Sequence, residues 1–260
     1  MAHNAADKWR DDLATWAIPK SILDQAPEKP WIHPPALFEI PDVIPDSISH
    51  QRAREVIQDG DSILDIGCGG GVASFAVTPP ATLVIGVDEQ QAMLDLYEAN
   101  AKKFGVAYET HLGLWPAIEG EVPKADVVAV HHVAFNVGDI APFLLAIHNH
   151  AVKRVVMEVP EVHPMSNMNE GWKHFWNIDR PTVPHAPDLI DILYELGIKA
   201  NIEYFENEFL LDKKTPDANA NIRRRLCLDE TRQDEVDAFM SEHPLPDRRK
   251  LTTIWWDVEA

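Results

Sequence analysis

A glycine-rich turn between two short apolar segments constrains the fold of this chain more than any other feature. Ser62-Ile63-Leu64 precedes the turn and predicts a buried strand, and the stretch from Val72 to Val77 predicts a helix. The turn itself reads Asp65-Ile66-Gly67-Cys68-Gly69-Gly70-Gly71. Gly67 permits a tight turn, and the later glycines let a ligand approach bare backbone at the N-terminus of a helix. The segment therefore predicts a ligand-binding strand, loop and helix.

The spacing of the glycines and the acid before them distinguish between two cofactor classes. A dinucleotide-binding loop has glycine at the positions of Gly67, Gly69 and residue 72, but residue 72 is Val72. Here the glycines alternate as Gly67, Gly69 and Gly71, and Asp65 stands two residues before the first. A carboxylate there suits a ligand with a cationic ammonium better than a pyrophosphate, which it would repel.

A second acidic residue, Asp88, ends the next predicted strand, 21 residues after Gly67. A carboxylate at this distance suits hydrogen bonds to both hydroxyls of a ribose. The acid, the alternating glycines and Asp88 together resemble the class I S-adenosylmethionine-dependent methyltransferases. The alternative is a glycine-rich turn in some other α/β domain.

From Asp61 onward, predicted strands and helices alternate, which favours an α/β fold with a parallel, doubly wound sheet. Seven strands are predicted, beginning near residues 62, 83, 106, 127, 155, 199 and 252. Their order resembles the seven-stranded Rossmann-like methyltransferase sheet, in which the last strand is antiparallel to the others. We therefore expect residues 47–260 to form one S-adenosylmethionine-binding domain.

Three segments lie outside a minimal core of this kind. Residues 1–46 predict an amphipathic helix, marked by Trp9 and Trp16, and then a proline-rich strap. Two insertions, 160–187 and 212–249, are long enough to act as lids or as accessory packing. The first follows the carboxyl end of a strand, where open α/β sheets bind ligands, so we expect it to form a substrate-pocket wall. Aromatic side chains packing that loop onto the sheet are the alternative.

Composition excludes several function classes. The 260 residues suffice for one full core, and the net charge of −19 argues against nucleic acid as a partner. Two cysteines imply no disulfide framework, and with no signal peptide in the sequence we expect a cytoplasmic protein. No apolar run is long enough to cross a membrane. The twelve histidines form none of the usual metal-binding motifs, so no metal is predicted.

The resemblance implies which residues bind S-adenosyl-L-methionine. Many family members carry an acid after the third strand that binds the adenine amino group, but Leu114 stands there in this chain. Adenine is therefore expected to meet backbone groups and the apolar side chains of Leu114 and Trp115. The predicted cofactor-binding residues are Asp65, Gly67, Cys68, Gly69, Gly71, Asp88, Glu89, Leu114, Trp115 and His131.

The fourth predicted strand ends in His131 and His132, and in class I methyltransferases this place borders the transferred methyl group. Neighbours on a strand face opposite ways, so one histidine should lie near the cofactor and the other toward the acceptor. We predict His132 as the general base, which a hydroxyl acceptor would benefit from, with a histidine bonded to nearby backbone as the alternative. Asn136 does not form the Asn-Pro-Pro-aromatic motif of amino-group methyltransferases, which argues against that subclass.

The predicted function is methyl transfer to a small molecule by direct displacement. We expect the acceptor pocket between the strap and the first insertion, with walls from Trp31, Phe135, Trp172 and Trp176. One alternative is a regulatory or scaffold protein that binds S-adenosylmethionine without catalysis, and another is an NAD(P)-dependent oxidoreductase. The chain as a whole resembles an uncharacterised bacterial group of the family, which implies neither the acceptor atom nor the oligomeric state.

Overall fold

Seven strands form one sheet in the computed structural model, which describes residues 4–31, 35–41, 43–208 and 218–258. The strands are β1 (Ser62–Ile66), β2 (Leu83–Asp88), β3 (Ala107–Leu112), β4 (Ala125–His131), β5 (Ala151–Pro160), β6 (Asn201–Glu208) and β7 (Arg248–Asp257). Their order across the sheet is β3-β2-β1-β4-β5-β7-β6. Strands β1 to β5 pair in parallel, and β7 pairs antiparallel with both β5 and β6. The predicted Rossmann-like sheet with an antiparallel last strand is thus confirmed.

Helices cover both faces of the sheet. In chain order they are α1 (Ala5–Ala14), α2 (Lys20–Leu23), α3 (Ile48–Arg54), α4 (Val72–Phe75), α5 (Gln91–Phe104), α6 (Ile140–His150), α7 (Asn169–Trp176), α8 (Asp188–Glu195), α9 (Ala218–Arg225) and α10 (Gln233–Glu242). Apolar side chains of α1, α6 and α8 form the core on one face, and those of α3, α4 and α5 form the core on the other. None of these helices is long and apolar enough to cross a membrane.

The composition of each strand matches how much of it the helices cover. The central strands β1 and β4 are apolar along most of their length because helices cover them on both sides. Strand β6 lies at one edge and carries Glu203, Glu206 and Glu208, whose charges oppose pairing with another sheet.

The two predicted insertions meet in a third apolar cluster beside the sheet. Helix α7 comes from the first insertion, and α9 and α10 come from the second. The buried side chains of this cluster include Trp172, Ile222 and Val236. Residues 209–217, where the second insertion begins, lie outside the described residues. The insertions therefore bury their apolar side chains largely against each other.

Helix α1 is anchored to the main core by one tryptophan. The Trp9 side chain is 1% exposed, and its ring stacks on Phe135 with 5.4 Å between ring centroids. Its indole Nε1–H donates a hydrogen bond of 3.0 Å to the Val137 carbonyl. Residues near the amino terminus thus contribute directly to the core that covers β4.

We expect Trp9→Ala to lower the free energy of unfolding by about 3–5 kcal/mol, because it leaves a cavity and removes a buried hydrogen bond. Trp31→Ala is the matched control, since Trp31 is 58% exposed and its removal should change stability by less than about 0.5 kcal/mol. Urea unfolding followed by circular dichroism measures both. Similar losses in the two variants would contradict the anchoring role of Trp9.

Candidate active site

The glycine loop lies at the carboxyl edge of the sheet, between β1 and α4. Gly67 and Gly71 adopt φ values of +70° and +90°, in the left-handed region that favours glycine. A Cβ atom on Gly67 would lie 2.5 Å from Val133 Cγ2, so there is no room for a side chain. The N–H groups of Gly67 and Cys68 donate to the Val87 carbonyl at 2.8 and 3.0 Å, which ties the loop to β2. Sequence and structure therefore agree on where this loop lies.

Asp88 joins the loop to the neighbouring strand. Its carboxylate is 9% exposed, and Oδ2 accepts a hydrogen bond of 3.1 Å from the Gly69 N–H. The other oxygen, Oδ1, accepts from the Gln90 N–H at 3.0 Å, where α5 begins. Because a carboxylate has about four acceptor positions, Asp88 can also accept hydrogen bonds from ligand hydroxyls.

Asp65 lies beneath the loop. Its carboxyl group is 2% exposed, and Oδ2 accepts a hydrogen bond of 3.0 Å from Ser74 Oγ. The same hydroxyl lies 2.8 Å from the Tyr97 hydroxyl. Burial raises the pKa of Asp65 to about 7. The carboxyl group therefore contacts α4 directly and is linked to α5 through the Ser74 hydroxyl.

A turn from the amino-terminal strap, Pro35–Phe38, covers the glycine loop. A Cβ atom on Gly69 would lie 2.9 Å from Phe38 Cδ1, and one on Gly70 would lie 2.0 Å from the Phe38 carbonyl oxygen. The loop is thus held between the strap on one side and Val133 on the other.

The remaining predicted cofactor residues lie in different environments. Glu89 and Leu114 are exposed just after β2 and β3, and Leu114 is 64% exposed. The Cys68 thiol is buried, and burial raises its pKa well above the usual range, so it behaves as a small apolar side chain. The prediction that Trp115 contacts the cofactor is wrong, because its ring lies in the core, edge-on to His150 at 4.7 Å.

His132 contacts Glu158 just beyond the carboxyl end of β4. Its Nε2 lies 3.2 Å from Glu158 Oε1, and its N–H donates a 2.7 Å hydrogen bond to the Glu158 carbonyl. The φ of His132 is +62°, a left-handed conformation that is uncommon for a residue with a side chain. Ser47 Oγ donates a hydrogen bond of 2.9 Å to the other carboxylate oxygen, Oε2. Arg249 Nη2 lies 3.3 Å from His132 Nε2.

The two neighbouring histidines differ in their surroundings. His131 stacks on His50, with 5.5 Å between ring centroids, and burial lowers the pKa of His131 to about 3. Burial also lowers the pKa of His50. Burial alone would raise the pKa of Glu158, but His131 and His132 beside it hold that pKa well below its usual range. The side chain of His132 is 34% exposed, so it reaches the surface of the site.

Three of the four predicted pocket walls belong to two apolar clusters, Phe135 to one and Trp172 and Trp176 to the other. Trp172 is 1% exposed and lies under the Arg180 guanidinium, so its prediction as a pocket wall is wrong. The second insertion covers this part of the first, and Trp176 Nε1–H donates to the Leu226 carbonyl at 2.7 Å. Phe135 is buried against Trp9. Trp31 is the one predicted wall residue that is largely exposed.

Four polar residues of the site were missed by the sequence reasoning. They are Ser47, His50, Glu158 and Arg249. Glu158 left one local signal, because it is a charged residue within the apolar run from Val155 to Val159. The others gave no comparable signal. Among the residues that the structure describes, no three histidine, cysteine or acidic side chains are arranged to hold a metal ion.

The chain is similar to known methyltransferases over part of its length. A family model described as a methyltransferase domain matches residues 57–177. An uncharacterized protein of Haemophilus influenzae is 27% identical over 215 residues, which are 78% of each chain. A ubiquinone biosynthesis O-methyltransferase of Bartonella quintana is 27% identical over 111 residues, 43% of this chain and 42% of that protein.

A solved structure has the same fold. It is an S-adenosylmethionine-dependent methyltransferase of Thiobacillus denitrificans in complex with S-adenosyl-L-homocysteine. The TM-score is 0.53 at 17% identity, and the match covers 92% of this chain and 99% of that one. This match shows that the two proteins share a fold, and the family model shows similarity to a methyltransferase domain over residues 57–177.

The pKa of Asp65 generates a prediction about stability and pH. The ordinary value of 3.8 applies to the unfolded chain, so the folded protein binds this proton more tightly. The contribution of Asp65 to the free energy of unfolding should therefore fall as pH rises from about 4 to 7, by up to about 4 kcal/mol. Asp65→Asn removes this loss, so its stability relative to wild type should increase across that interval.

Denaturant unfolding at several pH values between 5 and 8 measures this difference. Asp126→Asn serves as the control, because the pKa of Asp126 is lowered, although burial opposes this, by hydrogen bonds from Ser62 and Lys153. Its contribution changes only below the ordinary value of 3.8 and should be constant between pH 5 and 8. The same pH dependence in both variants would contradict the environment assigned to Asp65.

Proposed function

We propose that this chain, which belongs to the class I S-adenosylmethionine-dependent methyltransferases, transfers a methyl group to a hydroxyl oxygen of a small molecule by direct displacement. The observation that carries the proposal is the position of His132. The next residue, Val133, lies against Gly67 of the glycine loop, and the His132 side chain contacts Glu158. A base with a carboxylate partner thus stands beside the loop where the cofactor is expected.

The carboxyl edge of the sheet fits S-adenosyl-L-methionine. Asp88 has acceptor positions for the ribose hydroxyls, next to the bare backbone of the loop. Leu112 and Leu114 are large apolar side chains, 54% and 64% exposed at the end of β3, and suit contact with the adenine ring. When bound, the cofactor supplies a methyl group on a cationic sulfur. Asp65 would act indirectly, by holding the helix that follows the glycines.

A hydroxyl acceptor benefits from a general base that removes its proton, since a hydroxyl is a weak nucleophile at neutral pH. His131 is unsuited to this task, because an imidazole with a pKa of about 3 accepts a proton poorly. His132 is better placed, with a partly exposed side chain and a carboxylate at 3.2 Å. Its Nδ1 atom is buried and has no hydrogen-bond partner among the described residues.

One of the similar proteins and one missing motif favour oxygen as the methyl acceptor. One relative is a ubiquinone biosynthesis O-methyltransferase, and the region shared with it is 43% of this chain. The chain also lacks the Asn-Pro-Pro-aromatic motif at Asn136. The net charge of −19 favours a small acceptor over nucleic acid, because a nucleic-acid site needs a basic surface.

The test is methyl transfer from labelled S-adenosylmethionine to a panel of phenols and catechols. His132→Asn should lower kcat by at least about 100-fold, the range expected for loss of a general base, with unchanged affinity for S-adenosylhomocysteine. His174→Asn is the control, since His174 is an exposed histidine on α7. Full turnover by His132→Asn, or label that enters only amines or macromolecules, would refute the proposal.

A further inference from the structure

We propose that Glu158 is a positioning residue for His132 and that Ser47 holds Glu158 in place. Ser47 lies outside the residues that match the methyltransferase family model. The match begins at residue 57, so Ser47 belongs to the segment that precedes it. This inference rests on the proposed function of His132 as base. It gives the amino-terminal segment a part in catalysis that the family model does not cover.

Three contacts connect these residues. Glu158 is 5% exposed, and its two carboxylate oxygens have different partners. Oε1 lies 3.2 Å from His132 Nε2, and Oε2 accepts the 2.9 Å hydrogen bond from Ser47 Oγ. The Glu158 carbonyl accepts the His132 N–H at 2.7 Å. Glu158 thus holds both the backbone and the ring of His132.

The backbone of His132 needs such support. A φ of +62° is strained for a residue with a side chain, and it persists only where surrounding contacts impose it. The conformation turns the chain at the end of β4, where the His132 side chain is partly exposed while His131 packs on His50.

Charge gives Glu158 a second effect on the base. In the proposed step, the acceptor oxygen forms the new C–O bond as the methyl–sulfur bond breaks, and the electron pair of that bond stays on sulfur. The acceptor proton moves to His132, which becomes a cation. Glu158 stays ionised throughout, and its carboxylate at 3.2 Å stabilises that cation.

The other titratable groups around His132 and Glu158 do not favour the protonated form of His132. Burial favours the neutral forms of His131 on β4 and His50 on α3. Arg249 on β7 is a cation 3.3 Å from His132 Nε2, and it opposes protonation of the ring. Within the described part of the chain, Glu158 is the carboxylate that directly contacts His132 and favours its protonated form.

The first turn of α3 provides a matched pair of serines. Ser47 caps this helix, because its Oγ accepts from the His50 N–H at 3.2 Å, and it also donates to Glu158. Ser49 is also buried and lies two residues further on. Its Oγ forms a hydrogen bond of 2.7 Å with Thr253 Oγ1. Replacing either serine by alanine removes a buried hydrogen bond to the sheet, but only Ser47 contacts Glu158.

The experiment follows the ring signal of His132 by NMR as pH is changed, in the full chain saturated with S-adenosylhomocysteine. The signal is assigned from its loss in His132→Asn. In Glu158→Gln the His132 ring should protonate at a lower pH than in the wild-type protein, since an adjacent opposite charge is lost. Ser47→Ala should shift the midpoint in the same direction by a smaller amount, and Ser47→Thr should retain the wild-type midpoint.

Ser49→Ala is the control, and its midpoint should equal that of wild type even if its thermal stability falls as far as that of Ser47→Ala. An unchanged midpoint in Glu158→Gln, or equal shifts in the two alanine variants, would overturn the inference. If Glu158→Gln does not fold, the difference in midpoint between Ser47→Ala and Ser49→Ala tests the inference. The titration needs no acceptor, so it is independent of the transfer assay. Unchanged methyl transfer by His132→Asn would contradict the proposed function, whereas the titration tests the roles of Glu158 and Ser47.

Discussion

The close approach of the glycine loop to its neighbours on both sides determines how the site is built. Val133 occupies the space where Gly67 would carry a side chain, and Phe38 occupies the corresponding space at Gly69 and Gly70. A single side chain in the loop would push away either the segment after β4 or the strap. The same loop therefore sets the positions of His132, which precedes Val133, and of the strap that covers the cofactor site.

A buried carboxylate organises the other half of the site. Burying a charge costs free energy unless it is paired and hydrogen-bonded, and Glu158 meets this requirement through Ser47 and His132. These partners come from two different parts of the chain, and Ser47 lies outside the region that matches the methyltransferase family. The region that matches the methyltransferase domain contains the glycine loop, His132 and Glu158, while Ser47 precedes that region.

Local sequence patterns predicted the sheet and the cofactor loop, because strand burial and glycine spacing are properties of short segments. The roles of the tryptophans were less predictable. Trp115 follows β3 and Trp172 lies on α7, and nothing in either segment indicates whether a ring turns to the cleft or to the core. The contact between Ser47 and Glu158 spans 111 positions, and that between His132 and Arg249 spans 117, so neither leaves a local pattern.

The most direct test of the account is calorimetric titration of the protein with S-adenosylhomocysteine and, separately, with NADH. Wild-type protein should bind the first and give no response to the second. Asp88→Ala should bind S-adenosylhomocysteine about 10- to 150-fold more weakly, through loss of charge-assisted hydrogen bonds worth about 1.5–3 kcal/mol. Asp95 lies on α5 and accepts a hydrogen bond from the Gln91 side chain. Asp95→Ala should bind S-adenosylhomocysteine as the wild-type protein does. Tight binding of NADH without a response to S-adenosylhomocysteine would contradict the assignment of the cofactor site.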